Sequence, residues 1–137
     1  LRERKPWSSQ EGDRDVLVLA ATDPANPYGT VIPWPDVEES LRPQRAAGAR
    51  VILHEGTLLG FLGRTGEQLT TFLPGEEPER SELLAALTNA LAGLAKPGAP
   101  VFLKKVDSVA VFESPLVEEF ETAGFRKSSL GLLHRGR

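Results

Sequence analysis

Between residues 22 and 43 the chain places five of its eleven prolines. The first part, Asp23-Pro24-Ala25-Asn26-Pro27-Tyr28-Gly29 running on to Pro33-Trp34-Pro35, adds two aromatic rings to them. Each proline fixes φ and removes a backbone donor, so helix and central strand are both excluded here. What remains is a stiff, irregular connector. It leaves the apolar run Val16-Leu17-Val18-Leu19-Ala20-Ala21, which reads as a strand covered on both faces. The connector has two possible uses. Facing a ligand, Tyr28 and Trp34 would stack an unpaired base, while Asp23 or Asn26 would bond a base or orient water; Asp23 is then the best catalytic carboxylate candidate. Facing the core, Asp23 and Asn26 would organise Asx-type turns, and the rings would plug the end of a barrel.

The pattern that follows predicts a meander. Arg50–His54, Thr57–Gly63 and Gln68–Leu73 read as strands, joined by the turns Glu55-Gly56 and Arg64-Thr65-Gly66-Glu67. Apolar residues fall on both faces: Val51 and Leu53 against Ile52, and Leu58 and Leu62 against Leu59 and Phe61. Gly60 and Gly63 mark bends or close backbone approaches. Glu79 to Lys96 is the best helix, with Leu83, Leu84, Leu87, Leu91 and Leu94 on one stripe and Pro97-Gly98 as its stop. Val101 to Val106 returns as a strand. Ser114-Pro115 should cap and start a second helix that buries Phe120 and ends at Gly124. One or two strands then close the chain. The expected class is α+β: a small, curved, mostly antiparallel, barrel-like sheet with two α-helices.

Composition narrows the function. The chain has no Cys and only His54 and His134, with no ligand spacing around either, so no metal is expected. Gly60 to Gly66 lacks the strand–loop–helix setting of a phosphate loop, and no GxxxxGK[ST] occurs, so no cofactor is expected in this stretch. The adjacent pairs Glu38/Glu39 and Glu118/Glu119 read as solvated faces. No apolar run reaches the roughly 18–20 residues that cross a bilayer, and a cytoplasmic location is expected. A net charge of −3 argues against a dedicated nucleic-acid module. Residues 125–137 nevertheless carry Arg126, Lys127, Arg135 and Arg137 without an acid. Together with Lys104-Lys105 they could form a phosphate-contacting edge, although strand alternation lets only one of those two lysines share a face with a given partner. The nucleic-acid candidates are therefore Tyr28, Trp34, Lys104, Arg126, Lys127 and Arg135.

The chain starts at Leu1 and contains no Met, and eight of its first fifteen residues are charged. Those features predict a piece of a longer protein, with 1–15 as a linker or tail and 16–137 as one domain.

Several stretches, in order, resemble the C-terminal region of the large Lhr-type helicases of the DEAD/H group. The most specific is Asp23–Gly29 through Pro33-Trp34-Pro35. Arg42-Pro43 with Arg45 to Val51, Gly56-Thr57-Leu58, Gly66 to Phe72, Val106-Asp107, Ser114-Pro115-Leu116, Ala123-Gly124-Phe125 and Gly131-Leu132 follow. Gly60-Phe61 departs from a common Tyr, and Ser108-Val109 from a Gly-containing turn. The resemblance implies a parent that is an ATP-dependent 3′-to-5′ helicase linked to DNA repair. Its RecA-like motor, with ATP and Mg, would lie upstream. It also implies neighbouring winged-helix domains, single-stranded or partly duplex DNA as partner, and a possible homo-oligomer. This stretch would be a terminal β-rich accessory domain. A group of DNA glycosylases shares the arrangement, leaving a DNA-processing module or a purely structural domain as alternatives; no glycosylase catalytic residue carries over to a position here.

Overall fold

A computed structural model describes residues 16–38 and 41–136; the expected linker 1–15 lies outside the described residues. Strand β1 (Val16–Ala20) precedes the connector, which ends at the meander β2 (Arg50–His54), β3 (Thr57–Leu62) and β4 (Gln68–Thr71). Helix α1 (Glu79–Leu94) leads to β5 (Val101–Leu103), β6 (Lys105–Val106) and β7 (Val109–Ala110). A 3₁₀ turn at Val111–Glu113 precedes helix α2 (Val117–Thr122) and the hairpin of β8 (Arg126–Lys127) and β9 (Leu132–His134). One sheet has the order β1-β2-β3-β4-β6-β7 and a smaller one the order β5-β9-β8. Every pairing is antiparallel except β4 with β6. The class is α+β, as the pattern predicts, but the large sheet is curved and open. Its edges, β1 and β7, do not meet.

Three local departures have physical causes. The run 101–106 is two strands, because the N–H groups of Lys104 and Lys105 both donate to the carbonyl of Glu67, at 2.8 and 3.1 Å, and step the chain from one sheet to the other. β1 is an edge strand, and Leu17 on it remains 53% exposed, so it is not covered on both faces along its length. The second helix begins at Val117, two residues later than Ser114-Pro115 suggests. The Ser114 hydroxyl caps a preceding turn instead, accepting the Leu116 N–H at 3.1 Å. Its end is as expected. Gly124 has φ +106°, its N–H donates to Glu121, and the N–H of Phe125 reaches back to Phe120. That is a Schellman cap, completed by the edge-to-face contact of Phe120 and Phe125 at 5.4 Å.

The large sheet separates two cores. On one face Ile52, Leu59, Leu62 and Leu69 pack with Leu84, Leu87 and Leu91 of α1 and with Phe120, Phe125 and Leu132. On the other, Val51, Leu53, Leu58 and Phe61 pack with Ala21, Tyr28 and Ala49. Strict alternation along β3 would pair Leu59 with Phe61, yet these fall in different cores. A bulge between Ile52 and Leu53 accounts for it: Ile52 opposes Gly60 and Leu53 opposes Leu58, which leaves Leu59 as the extra residue. The phase of β3 therefore shifts by one. Gly60 turns to the helix side, where an added Cβ would lie 3.1 Å from Leu87 Cδ1 and 3.4 Å from Leu69 Cδ1. The neighbouring hairpin is tight: Glu55 and Gly56 have φ of 51° and 86°, the type I′ geometry that matches strand twist.

At the start of α1, Glu79 and Glu82 lie in the first turn, and Glu77, just ahead of it, supplies a side-chain acceptor. Its carboxylate accepts the Ser81 N–H at 3.0 Å. Hydrogen bonding from the Ser81 side chain first, then from its backbone, holds the Glu77 carboxyl below the ordinary value. No helix among the described residues is long and apolar enough to cross a membrane.

Two outcomes follow. Replacing Gly60 by Val overpacks the helix side and should lower stability by about 1–3 kcal/mol, read as a reduced urea midpoint at unchanged slope. A carboxyl whose folded pKa lies below its unfolded one stabilises above the unfolded value and loses that effect as pH falls through the folded value. Glu77→Gln should accordingly lower the melting temperature slightly at neutral pH, leave it nearly unchanged at acid pH where the carboxyl is protonated, and so flatten the acid limb.

Candidate nucleic-acid interface

The connector turns inward. Asn26 is 1% exposed. Its amide donates to the Ala21 carbonyl at 2.9 Å and to that of Tyr28 at 3.4 Å, while its Oδ1 accepts the Tyr28 N–H at 3.0 Å. Arg45, arriving from the far end of the connector, donates Nη1 to the carbonyls of Asn26 and Tyr28 at 2.8 and 2.9 Å and Nη2 to that of Asp23 at 3.3 Å. Gly29 allows this approach. It has φ +86°, and a Cβ there would come within 2.9 Å of both Arg45 Cδ and Trp34 Nε1.

The candidate residues of the connector are placed accordingly. The Tyr28 ring is buried and its hydroxyl accepts the Leu58 N–H at 3.2 Å. Trp34 is half-buried, stacked on Tyr28 at 5.9 Å and edge-on to Phe61 at 5.8 Å. Asp23 closes its own turn, its Oδ1 accepting the Ala25 N–H at 2.8 Å. Of the two uses open to the connector, its geometry is that of a lid over the second core.

The cationic candidates divide. β8 and β9 place Arg126 opposite Leu133 and Lys127 opposite Leu132. Because β8 is a two-residue edge, both of its side chains reach solvent despite their opposite directions. With Arg135 just beyond β9 they line one groove of about 530 Å³, whose wall includes Gly124 and His134. Among the described residues only Lys127 of these three has an acidic ion-pair partner, Glu121 Oε2 at 3.9 Å, an exposed pair of little energetic weight. Arg126 and Arg135 make no ion pair with the described residues. His134 is part of the scaffold: buried, edge-on to Phe125 at 5.2 Å, with Nδ1 accepting the Gly136 N–H. Lys104 lies elsewhere, paired with Glu67 at 3.6 Å and set 5.9 Å above the Phe102 ring. No group of three or more His, Cys, Asp or Glu suited to a metal occurs among the described residues.

Fold and groove together define a small α+β domain with a cationic cleft at the edge of its minor sheet. No protein-family model matches the chain. Two curated relatives do. The protein named Lhr helicase/uracil glycosylase in Escherichia coli K12 is 33% identical over 132 residues, 96% of this chain. The one named Lhr helicase/probable uracil glycosylase in Mycolicibacterium smegmatis is 40% identical over 98 residues, 72% of this chain. This chain spans only 8% and 6% of their respective lengths. It is homologous to a small segment of the large Lhr helicases.

Arg45 is the residue that reading the candidates from chemistry passes over. Its signal is slight: one cation ahead of the small residues Ala46-Ala47-Gly48-Ala49. Arg45→Ala should remove a donor from three carbonyls, leave that of Asn26 without one, and destabilise the chain by about 2–3 kcal/mol, with loss of the near-ultraviolet dichroism of the Tyr28–Trp34 stack. Arg45→Lys should rescue little, since a single ammonium cannot reproduce the planar fork. Asn26→Asp should be as damaging as Asn26→Ala, because a carboxylate cannot donate to Ala21.

Proposed function

We propose that this chain is an accessory domain of an Lhr-type, ATP-dependent DNA helicase that acts in DNA repair in the cytoplasm. It holds single-stranded or partly duplex DNA while the motor, with its ATP and Mg, occupies another part of the parent. The reading is carried by the convergence of Arg126, Lys127 and Arg135 on one groove in a chain of net charge −3. Cations gathered on one cleft attract a phosphate backbone locally even where the whole chain is acidic. The names of the two relatives support the helicase setting. Winged-helix neighbours of the same parent would present the strand to this cleft.

Those names also join helicase to uracil glycosylase, which raises a catalytic reading. Asp23 is poorly suited to it, since its carboxylate is occupied in its own turn and lies beside the Arg45-bound backbone.

Fluorescence anisotropy of a labelled single strand, taken across a salt series, tests the binding reading. Arg126→Ala/Lys127→Ala/Arg135→Ala should reduce the slope of log affinity against log salt by about 2, three contacts at roughly 0.7 each. Lys104→Ala should leave it nearly unchanged. An unaltered slope in the triple variant defeats the groove as a DNA site. In a uracil-excision assay Asp23→Ala should match the wild type; a selective loss in a folded variant would make Asp23 catalytic.

A further inference from the structure

A second concavity, of about 660 Å³, lies between the end of the connector and the β3–β4 turn. Gly48 brings these together: its φ is +89°, and a Cβ there would stand 3.2 Å from the Arg64 carbonyl. Six side chains give the cavity its chemistry: Arg42, Gln44, Phe61, Arg64, Gln68 and Thr70. Its described lining contains two guanidiniums and no carboxylate. Neither Arg42 nor Arg64 forms an ion pair with the described residues. Thr70 pairs with Phe61 across β3 and β4, so both face this side, and two-residue alternation puts Gln68 there too. Thr70 is 4% exposed; its hydroxyl makes no hydrogen bond with the described residues and keeps some solvent access, since no fully buried side-chain oxygen among them lacks a partner. The side-chain amides of Gln44 and Gln68 are likewise uncommitted.

Four requirements are thus on offer in one place. The arginines suit a phosphate, and the amides carry the paired donor and acceptor that read a base edge. Phe61 supplies an aromatic surface, and the Thr70 hydroxyl supplies a polar point able to donate to an occupant or accept from it. The volume lies within the range of small-ligand sites. We propose that this cavity is a binding site for a single nucleotide unit, the phosphate at Arg42 and Arg64 and the base against Phe61, Gln68 and Thr70. The unit could come from a free mononucleotide or from one unstacked position of a strand. The inference stands apart from the groove of Arg126, Lys127 and Arg135, which shares no lining residue with the cavity.

Titration of the isotopically labelled chain followed by NMR tests it, with thymidine 5′-monophosphate, thymidine, inorganic phosphate and a short oligothymidylate as probes. Saturable shifts at Thr70 and at the Gln44 and Gln68 side-chain amides are expected with the mononucleotide. Arg42→Ala/Arg64→Ala should weaken the mononucleotide about tenfold or more without altering thymidine, as loss of a charge-assisted bond implies. Thr70→Val should weaken both, and Thr70→Ser should restore them. Arg126→Ala/Lys127→Ala should leave mononucleotide binding unchanged, so failure of the groove and failure of the cavity are separable. If only the oligomer produces these shifts, the occupant is a strand position; if both do, a free nucleotide also suffices. Phosphate binding as tightly as the mononucleotide, or no saturable shift at these residues with any probe, overturns the proposal.

Discussion

A sheet that is apolar on both sides cannot face water on either, and the need to cover it twice governs this molecule. One face is met conventionally by α1, whose Leu84, Leu87 and Leu91 lie over Ile52, Leu59 and Leu69. The other meets no helix among the described residues. It is covered by an irregular connector whose carbonyls and N–H groups would go unpaired in an apolar setting. Arg45 and Asn26 resolve that conflict by supplying polar partners from within the connector. Once they are in place, Tyr28 can lie over Leu58 and Trp34 can reach Phe61.

The same arrangement distributes charge. Acids gather around the start of α1, at Glu76, Glu77, Glu79 and Glu82, while the hairpin of β8 and β9 carries cations to the other sheet. Asp107 illustrates a further use of a carboxylate. In a left-handed turn with φ 54°, it accepts the Thr71 N–H at 2.7 Å and the Thr71 hydroxyl at 2.6 Å. It thereby ties the β6–β7 turn to β4, an internal role for a carboxylate, while the acid beside the proposed DNA groove is Glu121 at Lys127. The proposed placing of a strand relies on this separation, since a net charge of −3 spread evenly would repel it.

Much of the fold was legible from residue pattern alone. The meander, the stripe on α1 and the Gly124 cap depend on local periodicity and on φ preferences that neighbouring residues fully specify. The phase of β3 was not legible. Its bulge lies in the pairing of β2 with β3 and turns Gly60 towards Leu87, a residue 27 positions away in sequence. The same is true of the split between β5 and β6, which follows from two hydrogen bonds to Glu67. Among the candidate cations, the grouping of Arg126, Lys127 and Arg135 was readable because they are close in sequence. The departure of Lys104 from them was not, because it depends on which sheet the strand joins.

By itself the sequence determined that residues 22–43 form a rigid connector, that the sheet is apolar on both sides, and that basic residues concentrate near the end. Proline geometry and side-chain polarity are properties of individual residues, so no partner is needed to read them. Tertiary structure alone decided that the connector faces inward. A stiff loop with exposed rings and one with buried rings have the same composition. The choice between them rests on whether a distant donor, here Arg45, can reach the Asn26 and Tyr28 carbonyls, and only folding brings it there.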